Sequence, residues 1–136
     1  MKDKITDKTK GLINRGNLSR VKKFLNRISD GEACVIAFIG GSITQGAVAS
    51  TDELCYAKRV FDHISQLLSE NQSHPESKLH PESHLTYINA GIGATTSQFG
   101  AARVYEDVLK YDPDLVFIEY SVNDNDEAPY ERRELF

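Results

Sequence analysis

Three apolar runs, each leading into a loop of small or polar residues, constrain what this chain can fold into. Residues 33–39, from Ala33 through Cys34, Val35, Ile36, Ala37 and Phe38 to Ile39, are continuously apolar. Such a run without alternation marks a strand covered on both faces. Residues 85–89 and 115–120 are two further strand-like runs rich in β-branched and aromatic side chains. Between them lie segments of helical spacing: residues 56–70, with Ala57, Val60, Phe61, Ile64, Leu67 and Leu68, and residues 99–109, with Val104 and Val108 on one face. An amphipathic helix is also predicted after Asn17, a suitable cap, through Leu18, Val21, Phe24, Leu25 and Ile28. Strands alternating with helices predict an α/β three-layer sandwich with a parallel sheet, joined by crossovers of one hand. Three strands make that sheet incomplete, since doubly wound domains usually carry about five or more. The first or third strand is expected to leave an unpaired edge. Residues 1–16 read as a polar tail and 17–136 as the domain. A new helix begins around 130–136, so the chain reads as truncated or as one half of a two-part protein.

Composition narrows the function. No apolar run approaches the roughly 20 residues needed to cross a bilayer. The first eleven residues lack the apolar stretch of about 7 to 15 residues that a secretory signal carries, which predicts a cytoplasmic location. Cys34 and Cys55 are too few for a disulfide framework or a structural zinc site, and are expected to be reduced, buried thiols. Residues 1–30 hold nine Lys or Arg against three Asp, so this segment carries +6 and the remainder −10 of the net −4. The basic part lacks interleaved aromatics and the acidic part would repel phosphates, so nucleic acid is not the expected partner. His74, His80 and His84 fall in a polar stretch in which His-Pro-Glu-Ser occurs twice. They read as a surface excursion, and His63 as a half-exposed packing residue of the helix before it.

The chemistry concentrates at the ends of the three strands, which gather on one edge of a parallel sheet, where ligands bind. The first offers Ser42, preceded by Gly40 and Gly41, in a glycine loop running to Gly46. The second offers the backbone amides of Gly93 and Ala94, and the third the carboxamide of Asn123. A serine in a tight turn after a buried strand has its hydroxyl exposed for attack. Backbone N–H groups with an asparagine amide are the usual donors to a developing oxyanion. Taken singly, each feature has a plain reading as a cap, a loop or a turn; their coincidence at three successive strand ends favours acyl transfer.

In these residues the chain resembles the SGNH, or GDSL-like, hydrolase family. Phe38-Ile39-Gly40-Gly41-Ser42-Ile43-Thr44-Gln45-Gly46 is similar to the family's first block, with Gly-Gly-Ser in place of the commoner Gly-Asp-Ser. Asn89 to Ser97 resembles the second block and Glu119-Tyr120-Ser121-Val122-Asn123-Asp124 the third. The resemblance implies a flavodoxin-like sandwich and a serine ester hydrolase, with Ser42 as nucleophile. The oxyanion donors it implies are the N–H of Ser42, an N–H at Gly93 or Ala94, and the Asn123 side chain. It implies no metal and no cofactor. The substrate it implies is a small acyl ester or an acylated sugar, with deacetylation of a sugar ester foremost. Ala94 stands where the family has a glycine; it keeps the donor if the loop needs no positive φ there, and otherwise Gly93 is the better candidate. The family's last block, Asp-x-x-His, which supplies the base and its carboxylate, has no counterpart in the chain. By itself the chain is therefore expected to be nearly inactive, with the histidine coming from a downstream segment or a partner chain.

Two other classes compete with this reading. A flavodoxin-like nucleotide or phosphate binder would use residues 40–46 as an anion cradle, but that loop has no phosphate-reaching lysine and no Gly-x-Gly-x-x-Gly spacing. A non-catalytic interaction module would keep the fold without the base.

Overall fold

The computed structural model describes residues 16–71 and 84–124. The polar tail up to residue 15, the repeated His-Pro-Glu-Ser stretch with His74 and His80, and the expected helix at 130–136 lie outside them. The elements run α1 (Ser19–Ser29), β1 (Cys34–Gly40), α2 (Ser42–Gln45), α3 (Tyr56–Asn71), β2 (Leu85–Gly91), α4 (Ser97–Asp107) and β3 (Leu115–Glu119). Single 3₁₀ turns occur at Asp52–Leu54 and Leu109–Tyr111.

The three strands form one parallel sheet in the order β2-β1-β3. Of the two strands expected to leave an edge, the third does and the first does not: β1 is central, paired along its whole length with β2 and from Ile36 onward with β3. The edges among the described residues are β2 and β3, and Ile118 on β3 is exposed. Alternate side chains of β1 serve two cores, as the period of two requires. Cys34, Ile36 and Phe38 point to the face covered by α1 and α3, where Phe24, Ile28 and Ala57 are buried with them. Ala37 and Ile39 point to the opposite face, against Val108 and Val104. Phe38, fully buried, stacks on Phe117 with ring centroids 4.7 Å apart and meets Tyr56 edge-on. Full burial of such a ring contributes roughly 1.5–3 kcal/mol.

The connection from β1 to β2 carries α3 on one face, and that from β2 to β3 carries α4 on the other. Because β2 and β3 also flank β1 on opposite sides, both crossovers have the same hand. The end of β1 is therefore where the chain's direction across the sheet reverses, the place where open α/β sheets bind ligands.

Several local expectations change. Residues 40–46 are not a plain loop: β1 extends to Gly40 and Ser42–Gln45 form one turn of helix closed by Gly46, at φ 101°. The helix read at 99–109 starts and stops two residues earlier and passes through a 3₁₀ turn, so it ends well before Pro113. Leu18 occupies the cap position of α1, although the Asn17 side chain accepts the Ser19 N–H at 2.9 Å. His63 is exposed and does not pack. Cys34 and Cys55 are free, buried thiols. Among the described residues no helix is long and apolar enough to cross a membrane.

Candidate functional site

The site begins where β1 ends. A Cβ on Gly40 would lie 2.1 Å from Thr44 Oγ1 and 2.3 Å from the Glu119 carbonyl oxygen, so only glycine lets the chain turn this tightly beside β3. Ser42 then opens the one-turn helix, half-buried, with its carbonyl accepting the N–H groups of Gly46 at 3.1 Å and Ala47 at 2.9 Å. Two anchors hold this turn. Thr44 is fully buried, with its hydroxyl 3.1 Å from Tyr56 Oη. Its carbonyl accepts an N–H from the Asn89 carboxamide at 2.8 Å, while Asn89 Oδ1 accepts the Gly91 N–H at 2.9 Å. The serine therefore sits on an over-determined turn, the support that a reactive group needs to hold its geometry.

The second loop folds directly over the serine. The Ile92 N–H donates to the Gly40 carbonyl at 3.0 Å. A Cβ on Gly93 would stand 3.7 Å from Ser42 Cβ. The Gly93 N–H donates to Gln45 Oε1 at 2.8 Å; Gln45 follows Ser42 by three residues, which puts both side chains on one face of the turn. Ala94 has φ 56°, so the positive φ that would weaken its case as the glycine equivalent is present, and Gly93 becomes the better candidate for the backbone donor. Ala94→Gly is expected to stabilise the protein by about 0.5–1 kcal/mol, the left-handed penalty of an L-residue less the added chain entropy of glycine. Urea unfolding measures this, and a loss of stability would contradict the strained alanine.

The third loop brings in Asn123. Its N–H and that of Asp124 both donate to the Tyr120 carbonyl, at 3.0 and 2.9 Å. The Asn123 carboxamide nitrogen donates to the Thr95 carbonyl at 2.7 Å and would be 2.9 Å from a Cβ on Gly41. One of its two hydrogens is thereby held by the second loop. Asp124 Oδ1 accepts the Ser97 N–H at 2.8 Å, fixing the third loop to the start of α4. Ser42 and Asn123 line one shallow depression with Gly41, Ile43, Glu119, Tyr120 and Val122. Of the residues named from the sequence, Ser42, Gly93 and Asn123 are thus brought together from three separate loops, with Ala94 next to Gly93 in the second.

Residues not named from the sequence hold the arrangement from below. Arg103, on α4, donates from Nη2 to the Ala90 carbonyl at 2.7 Å and the Gly40 carbonyl at 3.3 Å, lies 3.2 Å from Tyr120 Oη, and pairs with Asp107 at 2.7 Å. One guanidinium ties together the ends of β1 and β2 and the residue that follows β3. Tyr120 in turn needs Gly100, since a Cβ there would meet its oxygen at 2.3 Å.

No imidazole among the described residues reaches Ser42. His84 precedes β2, and its carbonyl accepts the Cys34 N–H at the opposite end of β1; with strands rising about 3.3 Å per residue, that end lies about 20 Å from the serine. His63 projects from α3 into solvent. Among the described residues no group of three His, Cys, Asp or Glu side chains is placed to hold a metal ion.

No family model matches the chain, and no curated protein matches it. Solved structures do. The chain is similar to a two-domain esterase, CEX, active on acetylated mannans, at 47% identity and a TM-score of 0.71 over 87% of this chain and 28% of that one. The same esterase co-crystallised with mannopentaose matches at 50% identity and a TM-score of 0.70, over 82% and 27%. An acetylxylan esterase, Axe2, from Geobacillus stearothermophilus aligns at 24% identity and a TM-score of 0.49 over 76% of this chain and 47% of that one. The chain thus spans under a third of the length of the two-domain esterase and shares its fold over most of its own.

Proposed function

We propose that this chain is the nucleophile-bearing part of a serine ester hydrolase of the SGNH type, acting on acetyl esters of carbohydrates. The observation that carries the reading is that three strand-end loops meet around Ser42: a Cβ on Gly93 would stand 3.7 Å from Ser42 Cβ, and Asn123 lines the same depression as Ser42. Similarity to an esterase active on acetylated mannans, at 47% identity, supports an acetylated manno-oligosaccharide as the substrate.

In this mechanism Ser42 Oγ attacks the ester carbonyl while its proton passes to a general base. The oxygen of the tetrahedral intermediate is met by the N–H of Ser42, that of Gly93, once the Gln45 carboxamide gives way, and the free N–H of Asn123. Such donors act on charge that exists only as the transition state forms. Collapse breaks the ester bond, the base returns the proton to the sugar alkoxide, and water then hydrolyses the acyl-serine by the same steps. Because the sequence has no Asp-x-x-His element, and no imidazole among the described residues reaches Ser42, we assign the base and its carboxylate to a further segment or a partner chain.

The complete enzyme, meaning the chain together with that segment or partner, is expected to release acetate from an acetylated manno-oligosaccharide and to hydrolyse 4-nitrophenyl acetate. The 136-residue chain alone is expected to be at least about 1,000-fold slower on both, because a serine without its base retains only the residual catalysis of binding and oxyanion stabilisation. Equal rates for the two forms would overturn the assignment of the base.

A further inference from the structure

Beside Gln45 lies a cavity of about 350 Å³ lined by Gln45, Asp52, Glu53, Cys55, Lys58, Tyr87, Asn89 and Gly91. Its size is at the lower end of small-ligand pockets, which run from roughly 300 to 1,000 Å³. It opens between the 3₁₀ turn at Asp52–Leu54, the start of α3 and the end of β2. Gln45 belongs to both places. Its carboxamide oxygen accepts the Gly93 N–H next to Ser42, and its side chain forms one wall of the cavity.

The polar groups of this cavity are not all available. Asn89 is committed through both ends of its carboxamide, to the Thr44 carbonyl and the Gly91 N–H, and Lys58 pairs with Asp62. That leaves the carboxylate of Asp52, and that of Glu53 beyond its bond from Thr51, as acceptors and the Gln45 carboxamide nitrogen as a donor, with Tyr87 and Cys55 also in the lining. The Thr51 hydroxyl holds the Glu53 carboxyl below its usual range and so ionised. Two carboxylates against one paired ammonium repel phosphates, carboxylates and sulfates. An acceptor-rich lining suits a neutral molecule with several hydroxyl groups, each of which donates a hydrogen bond to a charged acceptor.

We infer that this cavity binds the sugar ring next to the acyl group on the alcohol side of the ester, with Asp52 and Glu53 as the residues that select a neutral polyol and Gln45 as the link between sugar and nucleophile. The inference rests on the esterase reading and adds the place of the alcohol to it. A ring seated here draws the Gln45 side chain toward its hydroxyls and frees the Gly93 N–H for the ester oxygen, so an alcohol with hydroxyls to offer is favoured over one without.

The test compares the complete enzyme with its Asp52→Asn/Glu53→Gln double variant on two acetyl esters, an acetylated manno-oligosaccharide and 4-nitrophenyl acetate, which has no sugar ring. Thermal melting checks that the variant folds, and each single substitution is measured in case the pair does not. The expected result is a fall in kcat/KM on the acetylated sugar at least tenfold greater than the fall on 4-nitrophenyl acetate, carried by a higher KM. Calorimetric titration with the free, unacetylated oligosaccharide is expected to show weaker binding to the variant to the same degree. Equal changes on both esters with unaltered sugar binding would overturn the subsite while leaving the serine mechanism standing. Undiminished hydrolysis of both esters by Ser42→Ala would instead overturn the esterase reading itself.

Discussion

In the complete enzyme, Ser42→Ala is expected to lower kcat on 4-nitrophenyl acetate by about a million-fold, the scale on which serine hydrolases lose activity when the nucleophile goes. The substitution removes one oxygen at a half-buried position and leaves the backbone bonds of the turn untouched, because Gly46 and Ala47 donate to the Ser42 carbonyl and not to its side chain. Stability should therefore shift by no more than about 0.5 kcal/mol, as for a surface change that breaks no cap and opens no cavity. Steady-state kinetics on the purified variant, with its melting temperature as control, check both halves. A loss of only a few fold would mean that another group attacks the ester.

Asn123→Ala is expected to cost about 100 to 1,000-fold in kcat with KM little changed, the signature of a donor used only as negative charge develops. Part of the change is structural, since the carboxamide also donates to the Thr95 carbonyl and joins the second and third loops; losing that bond costs about 1 kcal/mol of stability. Asn123→Asp separates the two contributions. It keeps the size and shape of the side chain but offers the Thr95 carbonyl and the oxyanion an acceptor in place of a donor, so it is expected to lose more activity than the alanine variant. An aspartate as active as asparagine would remove this residue from the oxyanion site.

The parts of this account that were legible in the sequence are those with a local pattern. The unbroken apolar run ending at Ile39 marks β1 as buried on both faces, and alternation with helical segments makes the sheet parallel. Three strand-end loops then place Ser42, Gly93, Ala94 and Asn123 on one edge. What was not legible depends on contacts between distant residues. The central place of β1 follows from which strand pairs with which, and an apolar run does not record its neighbours. The helical turn Ser42–Gln45 is too short for periodicity to show. Arg103 reads as one more polar position on α4, and its role appears only when the carbonyls of Ala90 and Gly40, 13 and 63 residues away in the chain, arrive beside it. Gln45 stood inside the motif, but its bond to Gly93 spans 48 residues and needs the closed second loop. The positive φ of Ala94 is likewise a property of the folded loop.

The central claim is that Ser42 Oγ is the atom that becomes acylated, with the amides of the second loop and of Asn123 around it. Treating the complete enzyme with a fluorophosphonate, which phosphonylates only an activated serine, and mapping the adduct by peptide mass spectrometry addresses that claim at a single atom. The account predicts stoichiometric modification of the peptide containing Ser42, blocked by prior incubation with an acetylated manno-oligosaccharide. An adduct on a different serine, or full esterase activity in protein left unlabelled, would contradict it.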